Sequence, residues 1–541
     1  MLAILAGCGG DGSTEDAAPE PEFVSGEVAV IPRPSQVWVD AAGSTVTVDG
    51  GTRVLVDAAA PALRPAAEML RERLAIRWPG LPPVRAHHGP AGAAAILFAG
   101  GDAALGDAGY ELEVAATGIT LRAAGSRGAR HGAQTLRQLL PAAWEAPGEA
   151  APFALPSVRI VDQPRFAWRG FMLDVSRTFF PIEYLHRWLE LMALLKLSVF
   201  HLHLTDDQGW RIESDRYPAL HELGSRFDPV RFPDERGGYY TQAELRGLVA
   251  HAARLGIEIV PEIDLPGHSL ALLHALPELA CAIDGPRRRE EFSIHPWAVG
   301  PRIHDEIVCA CDEQVFAVLE AILDEVLEIF PSRVVHLGGD EVPKTEWEAS
   351  ARCQAVMRDE GLRDVEHLQA RFTKRMEAFL AERGRTLIGW DEVLAAAAHG
   401  DARTDLAPAT AIMRWRDFAP DAPGLYDRPV VQTPFSALYL DYYRFPLSRA
   451  YAYEPVPDNL TAAQRANVLG VQANMWTGYD AQRSEGRVDQ YAFPKLAALA
   501  EVAWSDPARR DFADFLDRYP ALEERLVALG VDTAPCDGCV P

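Results

Sequence analysis

The sequence predicts an α/β protein whose larger part is a (β/α)8, or TIM, barrel, preceded by a small α+β domain. Three observations support this prediction. From about residue 166, short apolar runs alternate with amphipathic helical stretches, and eight such runs can be counted. Carboxylates and tryptophans follow the ends of these runs, where a barrel holds its chemistry. Before residue 164 there are strand-like runs and two helical stretches, but no such cluster of side chains.

The chain divides into four parts by composition and pattern. These are a leader and flexible tether at 1–27, the small domain at 28–163, the barrel at 164–505, and a C-terminal helix and tail at 506–541. Within the small domain, strands are predicted at 45–48, 53–56, 95–99, 110–114 and 119–122, and helices near 61–77 and 127–140. We expect this domain to support or dock the barrel.

The barrel strands are predicted as short apolar runs, several of them rich in β-branched residues. They lie at 170–175, 199–205, 257–263, 334–337, 386–389, 411–414, 437–440 and 468–473. Helices are predicted at 182–196, 242–255, 314–329 and 365–383, with closing helices at 490–505 and 510–529. A doubly wound open sheet is the alternative, but no G-x-G-x-x-G pattern follows the first strand, which disfavours its nucleotide-binding form.

The net charge argues against two classes of partner. The 541 residues carry a formal net charge of −25, with 48% hydrophobic and 24% charged residues, as in an ordinary globular protein. A nucleic-acid backbone requires clustered Lys and Arg, and an anionic membrane surface also attracts basic segments. We therefore expect neither nucleic acid nor an anionic bilayer surface as a partner.

The first residues suggest export. Leu5-Ala6-Gly7-Cys8 resembles a bacterial lipobox, in which the cysteine is lipidated, and an acidic stretch containing Gly, Ser and Pro follows as a tether would. The expectation is an exported periplasmic or cell-surface lipoprotein, anchored at Cys8, whose true start lies upstream. The alternative is a chance apolar start.

Six further cysteines could form disulfides in an exported protein, and six allow 15 pairings. Cys281 with Cys309 is favoured because both flank one long loop. Cys536 and Cys539 have the spacing of a redox motif or half a zinc site, but no second pair or histidine lies near them. A structural clasp of the tail, or free thiols, is the preferred interpretation.

The stretch from Val334 to Pro343 is the centre of the predicted site. A buried strand leads into Gly338 and Gly339, which allow a tight turn or a close approach to a ligand. Asp340 and Glu341 follow at the strand end; a helix N-terminus would be the structural alternative. Chain neighbours cannot easily bracket a reacting carbon from opposite faces, as a two-carboxylate displacement requires. A mechanism in which one carboxylate protonates and the other holds a substrate group fits better.

The other strand ends add acids and aromatic rings, which together suit a sugar, because carboxylates accept hydrogen bonds from hydroxyls and rings cover apolar faces. A resemblance to family 20 glycoside hydrolases, the β-N-acetylhexosaminidases, spans the whole barrel. It is carried, in the family's order, by residues 168–177, 201–211, 260–268, 336–341, 389–392, 439–441 and 469–476. The small preceding domain also matches the family's layout.

The resemblance implies substrate-assisted catalysis, in which the 2-acetamido oxygen of the substrate attacks the anomeric carbon. It implies catalytic roles for Glu341, Asp340, Tyr439, His268 and Asp206, and substrate-binding roles for Arg177, Trp390, Trp415, Asp441 and Trp476. Glu341 would be general acid and then base, with its pKa raised by an enclosed site. Asp340 would hold the acetamido N–H and Tyr439 the acetamido oxygen. No metal or other cofactor is needed.

The remaining roles are implied in the same way. The three tryptophans would box the acetyl group, Arg177 and Asp441 would bind ring hydroxyls, and Asp206 with His268 would form a polar relay toward Glu341. The chain departs from the family at Gly478, where a glutamate that contacts sugar hydroxyls is usual. This departure puts the C4 and C6 contacts in doubt and leaves room for a larger or altered substrate.

Two rival functions remain. The H-x-H spacing of His201 and His203 is found in metal-dependent amidohydrolase barrels, although the later strand ends offer tryptophan, tyrosine and acids instead of further zinc ligands. The second rival is a glycan-binding surface lipoprotein on an inactive barrel, which Gly478 slightly favours.

Overall fold

The computed structural model describes residues 22–145, 151–235, 237–296, 304–395, 405–441, 445–478 and 483–535. An N-terminal α+β domain is followed by a closed barrel. Cys8, Cys536 and Cys539, on which the sequence analysis placed an anchor and a tail motif, lie outside the described residues. Within those ranges, no helix has both the length and the apolar character needed to cross a bilayer.

The N-terminal domain is a mixed eight-stranded sheet in the order β1-β2-β10-β7-β8-β6-β4-β5, with β3 and β9 pairing separately. Its strands are β1 Phe23–Ser25, β2 Gln36–Asp40, β3 Thr45–Val48, β4 Arg53–Asp57, β5 Arg85–His87, β6 Ala95–Gly100, β7 Tyr110–Ala115, β8 Gly118–Ala123, β9 Phe153–Pro156 and β10 Val158–Asp162. Helices α1 (Arg64–Arg77) and α2 (Ser126–Leu139) pack against it. The five predicted strands and both helices are present, and β1, β2, β5, β9 and β10 were not predicted.

Alternation along a strand sets the face of this sheet that is buried. In β7, Tyr110, Leu112 and Val114 are buried, whereas the intervening Glu111 and Glu113 are partly exposed. Side chains on a strand point alternately to its two faces, so this pattern places three apolar residues in the core with α1 and α2.

The barrel closes in the order β11-β12-β15-β16-β17-β18-β19-β20, with parallel pairing throughout and β20 beside β11. The strands are β11 Trp168–Asp174, β12 Val199–His203, β15 Glu258–Glu262, β16 Val334–His336, β17 Thr386–Trp390, β18 Ala411–Arg414, β19 Val430–Gln432 and β20 Val468–Met475, with a small hairpin of β13 Thr205–Asp206 and β14 Gly209–Trp210 after the second barrel strand. The predicted TIM barrel is therefore confirmed.

Helices surround the barrel and fill the connections on its C-terminal side. They are α3 Ile182–Leu194, α4 Ala219–Glu222, α5 Gln242–Leu255, α6 Leu270–Ala275, α7 Glu313–Ile329, α8 Thr345–Ala349, α9 Ala351–Glu360, α10 Val365–Glu382, α11 Glu392–Ala395, α12 Phe435–Leu438, α13 Leu447–Ala452, α14 Ala462–Ala466, α15 Glu485–Ala492, α16 Lys495–Trp504 and α17 Phe512–Ala528.

Two predicted elements were wrong. The seventh strand is Val430–Gln432 and not 437–440, where Phe435–Leu438 forms a short helix after Pro434. A three-residue strand between Pro429 and Pro434 is too short to show a periodicity. The closing helix predicted at 490–505 is two helices, because Phe493-Pro494 interrupts it and proline cannot supply the backbone N–H that a helix interior needs.

A buried polar cluster joins the two domains. The Lys196 Nζ, at the end of the first barrel helix, lies 3.0 Å from Asp162 Oδ2 at the end of β10, and both side chains are fully buried. The Tyr110 hydroxyl also donates to Asp162 Oδ2 at 2.7 Å, and Trp504 Nε1 donates to Asp162 Oδ1 at 2.9 Å. Each charge is therefore paired and hydrogen-bonded, as buried charges must be.

Two disulfides lie beside the barrel. Cys281 is bonded to Cys309, which confirms the favoured pairing, and Cys311 is bonded to Cys353 in α9. They close loops with sequence separations of 28 and 42 residues, so that the segment between β15 and α7 is fixed at its base and tied to α9.

Candidate active site

The turn after β16 presents the two adjacent carboxylates. Gly338 and Gly339 have φ of 62° and 92°, and a side chain on Gly338 would overlap the carboxylate of Asp264. Only glycine adopts these angles without strain next to such a close neighbour. The predicted tight turn is confirmed, and the group that lies close to the backbone of Gly338 is the carboxylate of Asp264.

Asp340 and Glu341 lie in different environments. Asp340 is buried, and this burial is the main cause that raises its pKa to about 6. The Glu341 side chain is 37% exposed, and its pKa is lowered, chiefly by the facing imidazole of His268 and against the effect of burial. The expectation of a raised Glu341 pKa was therefore wrong for the open site, because a cation faces this partly exposed carboxylate.

His268 links the two carboxylates to Asp206. Its Nε2 lies 3.6 Å from Glu341 Oε2 and 3.7 Å from Asp340 Oδ2, and its Nδ1 lies 3.4 Å from Asp206 Oδ1 and 3.5 Å from Asp207 Oδ2. Burial alone would lower the pKa of His268, but the surrounding carboxylates hold it well above the usual value. This arrangement matches the predicted relay of Asp206 and His268 toward Glu341.

Arg177 enters from the end of β11 and faces the same relay. Its Nη2 lies 2.7 Å from Asp206 Oδ2 and its Nη1 3.3 Å from Asp174 Oδ2. The guanidinium carbon stands 4.8 Å from the ring centroid of Trp476. The two carboxylates hold the pKa of Arg177 above its usual value in spite of burial, so the site carries a permanent cation beside an aromatic wall.

Four aromatic rings stand next to one another at this end of the barrel, and together they are called the aromatic box below. The centroids of Trp390 and Trp476 are 5.9 Å apart, those of Trp415 and Tyr439 5.9 Å, and those of Tyr439 and Trp476 6.1 Å. Trp415 Nε1 donates to Glu392 Oε2 at 2.9 Å, which fixes the ring at the rim. Trp390 is 1% exposed and is therefore the innermost of the predicted tryptophans.

Tyr439 and Asp441 follow the short helix α12 and not a strand, but the sheet still positions them, because Tyr439 forms a parallel bridge with Asn474 of β20. Burial raises the pKa of the Tyr439 hydroxyl well above 10, so it remains a hydrogen-bond donor. Burial also raises the pKa of Asp441 to about 8. All ten predicted site residues are thus brought to one end of the barrel.

Sequence reasoning assigned no role to Glu262 and His336 beneath this site, and it weighed His201 and His203 only for the metal-dependent rival. Glu262 at the end of β15 lies among His201, His203 and His336 in the barrel interior. The H-x-H spacing and the acid at the strand end were visible signals, but spacing alone cannot say that these side chains face one another. His201, Glu262 and His336 could bring three ligand atoms within 4.8 Å of one another, which is the grouping that the metal-dependent rival requires.

Comparison with known proteins follows the same division of the chain. A family model described as "Glycosyl hydrolase family 20, catalytic domain" matches residues 166–507, and one described as "Glycosyl hydrolase family 20, domain 2" matches residues 27–163. The chain belongs to glycosyl hydrolase family 20. This family 20 assignment confirms the resemblance on which the site residues were chosen.

Relatives within family 20 align over most of the chain. A beta-hexosaminidase of Porphyromonas gingivalis is 37% identical over 95% of this chain, which spans 65% of that protein's length. A beta-N-acetylhexosaminidase of Cellulomonas fimi is 31% identical over 91% of this chain and 93% of its own length. The structure of a Vibrio harveyi GH20 exo beta-N-acetylglucosaminidase in complex with N-acetylglucosamine superposes with a TM-score of 0.78 at 29% identity, covering 96% of this chain and 81% of that one.

Proposed function

We propose that this chain is an exo-acting β-N-acetylhexosaminidase, which removes terminal β-linked GlcNAc or GalNAc from glycans or chitooligosaccharides with retention at the anomeric carbon. The observation that carries the proposal is the pairing of a buried Asp340 with a partly exposed Glu341 beside an aromatic box. The names of the P. gingivalis and C. fimi relatives, and the sugar bound to the V. harveyi enzyme, support the same substrate class.

In the first step, the acetamido oxygen of the substrate attacks C1 while the bond from C1 to the leaving oxygen breaks. The Glu341 carboxylic acid gives its proton to that oxygen, and an oxazolinium intermediate forms. Asp340 accepts the acetamido N–H and balances the positive charge. The Tyr439 hydroxyl donates to the acetamido oxygen and orients it. In the second step, the Glu341 carboxylate takes a proton from water, which attacks C1 and restores the acetamide.

The remaining residues bind and position the substrate. The aromatic box holds the acetyl group in the attacking orientation and excludes water. Arg177 and Asp441 bind ring hydroxyls. Sugar binding covers the exposed part of Glu341, and desolvation of a carboxylate raises its pKa toward the value that a general acid needs.

The test is release of p-nitrophenol from β-GlcNAc and β-GalNAc glycosides by wild type, Asp340→Asn and Glu341→Gln, with the exposed Glu348→Gln on α8 as control. We expect turnover by wild type and the control, and losses of about 100-fold or more in both site variants. Folded wild type that binds the sugars without turnover would favour the glycan-binding rival. Activity that a chelator abolishes would favour the metal-dependent one.

We also propose that the protein is exported and anchored through a lipid on Cys8. The lipobox-like Leu5-Ala6-Gly7-Cys8 supports this, as do the two disulfides, which persist in oxidising compartments. Mass spectrometry of the protein from membrane fractions is the test. A diacylated Cys8 is expected, and an unmodified Cys8 in native material would overturn the proposal.

A further inference from the structure

Glu262 has four neighbours inside the barrel, at the C-terminal end of β15. One carboxylate oxygen, Oε1, accepts a hydrogen bond from Trp390 Nε1 at 2.8 Å and lies 2.9 Å from His336 Nδ1. The other, Oε2, lies 2.5 Å from His203 Nδ1 and 3.0 Å from His201 Nε2. Glu262 has no exposed surface. A buried carboxylate without partners would cost several kcal/mol, so the hydrogen bonds from Trp390 and His203 are what allow the charge there.

The two oxygens face two parts of the site. Oε1 holds the innermost tryptophan of the aromatic box. Oε2 holds His203, whose other nitrogen, Nε2, lies 2.8 Å from Asp206 Oδ2. Asp206 in turn faces His268, which faces Glu341. A single carboxylate thus contacts the box that orients the attacking acetamide and the relay that ends at the general acid.

We infer that Glu262 is a positioning residue that sets the acetamide box and the general-acid relay together. This inference rests on the proposed function and adds a residue outside the substrate's reach. Glu262 acts through Trp390 on one side and through His203 on the other, so its loss disturbs both attack by the acetamide and protonation of the leaving group.

The charges around His203 support this role. An imidazole that donates from both nitrogens is a cation, and His203 lies between the carboxylates of Glu262 and Asp206. Burial alone would lower the pKa of His203, but these two carboxylates raise it well above the usual value. Burial lowers the pKa of His201 to about 4, so that neighbour is neutral. The relay therefore alternates in charge from Glu262 through His203 and Asp206 to His268.

Four variants separate the effect of Glu262 on the aromatic box from its effect on the relay. Glu262→Gln removes the charge, Trp390→Phe removes the Nε1 donor together with part of the ring of the box, and His203→Gln removes the cation of the relay. Glu258→Gln is the matched control, because Glu258 lies on the same strand, is exposed and accepts a hydrogen bond from Ser332. Thermal unfolding of each variant checks that it is folded.

Two dependences of kcat/KM on the substrate, each measured as a slope, report on the relay and on the aromatic box. One is the dependence of kcat/KM on the pKa of the leaving group, which measures protonation by Glu341. The other is its dependence on fluorine substitution of the N-acetyl group, which measures attack by the acetamide oxygen. We expect Glu262→Gln to reduce kcat/KM by about 100-fold, the loss that a 1 Å misplacement can cause, and to change both slopes. His203→Gln is expected to change only the leaving-group slope, and Trp390→Phe only the N-acyl slope.

If Glu262→Gln lowers kcat/KM by the same factor for every substrate and leaves both slopes unchanged, the inference is overturned, because such a result would indicate a structural role alone. If Glu262→Gln does not fold, His203→Gln and Trp390→Phe decide. Equal changes in both slopes for these two variants would contradict separate effects on the relay and on the aromatic box. Wild-type turnover with an unaffected Glu262→Gln removes this inference and leaves the proposed function. A wild type without turnover removes both.

Discussion

His268 and Glu341 face each other across 3.6 Å, and both are non-glycine residues with left-handed backbones, at φ of 46° and 49°. Such a conformation costs about 1–3 kcal/mol per residue and persists only where the surrounding structure enforces it. The fold therefore holds His268 opposite Glu341 at a cost in stability.

The strain at Glu341 predicts an unusual order of stability among its variants. Glu341→Gly is expected to be more stable than Glu341→Ala by about 1 kcal/mol, because glycine adopts a left-handed backbone without a Cβ clash. On helix α8 the order should reverse, so that Glu348→Ala is more stable than Glu348→Gly by about 1 kcal/mol. Denaturant unfolding of the four variants measures this, and the same order at both positions would contradict the strain.

Asp340→Asn should stabilise the protein in a pH-dependent manner. The folded pKa of Asp340 is about 6 and its ordinary value 3.8, so the folded state holds the proton more tightly. The stabilisation that comes from the proton on Asp340 is fully present below pH 3.8 and is lost as the pH rises through about 6. A difference of about two pKa units corresponds to about 3 kcal/mol.

Unfolding free energies of wild type and Asp340→Asn at pH 4 and pH 7 test this. The advantage of the variant is expected to grow by about 2 kcal/mol between the two pH values, because at pH 4 the unfolded carboxyl is already partly ionised. The exposed Asp359→Asn in α9 is the control. An advantage that stays constant with pH would mean that Asp340 is not a buried carboxylate with a raised pKa.

Helices and strands were easiest to predict from the sequence where their residue patterns were long and regular. Helix α5 was predicted from its amphipathic pattern with its observed bounds. In the structure, Thr241 and Glu244 form a capping box at its start, and Gly256 ends it in a left-handed conformation. The strand Val430–Gln432 was missed because three residues between prolines carry no period. In the small domain, the three-residue strands β1 and β5 were missed for the same reason.

The site was predictable in its membership but not in its electrostatics. The motifs named Asp340, Glu341 and His268, and the barrel brings them together. The direction of the Glu341 pKa was wrong, because it depends on a side-chain exposure and a distance to His268 that only the folded chain defines. The contacts of Glu262 join four strands, and a residue's neighbours across a barrel cannot be obtained from spacing along the chain.

Reduction of the two disulfides should destabilise the barrel. The two bridges close loops with sequence separations of 28 and 42 residues. By reducing the chain entropy of the unfolded state, each is expected to add about 4 kcal/mol to the free energy of unfolding. A reducing agent is expected to lower the midpoint of thermal unfolding, and a Cys311→Ser/Cys353→Ser variant should show part of that loss. Peptide mapping without reduction should find Cys281 joined to Cys309 and Cys311 to Cys353. An unfolding midpoint that is insensitive to reduction would contradict the prediction.

Lys196→Met should weaken the junction between the domains. It leaves the carboxylate of Asp162 buried with neutral donors only, and breaking a buried pair costs about 3–5 kcal/mol. The exposed Arg127→Met in α2 is the control. Unfolding free energies should separate the two variants, and equal values would show that the junction does not depend on this pair.

Participation of the substrate's acetamide is the central claim, and its most direct test uses wild type alone. The measurement is kcat/KM for p-nitrophenyl glycosides whose N-acetyl group carries zero, one, two or three fluorine atoms. Fluorine withdraws electrons from the carbonyl oxygen that attacks C1, so kcat/KM should fall stepwise through the series. A kcat/KM that does not depend on fluorine would contradict the account, because a carboxylate and not the acetamide would then be the nucleophile.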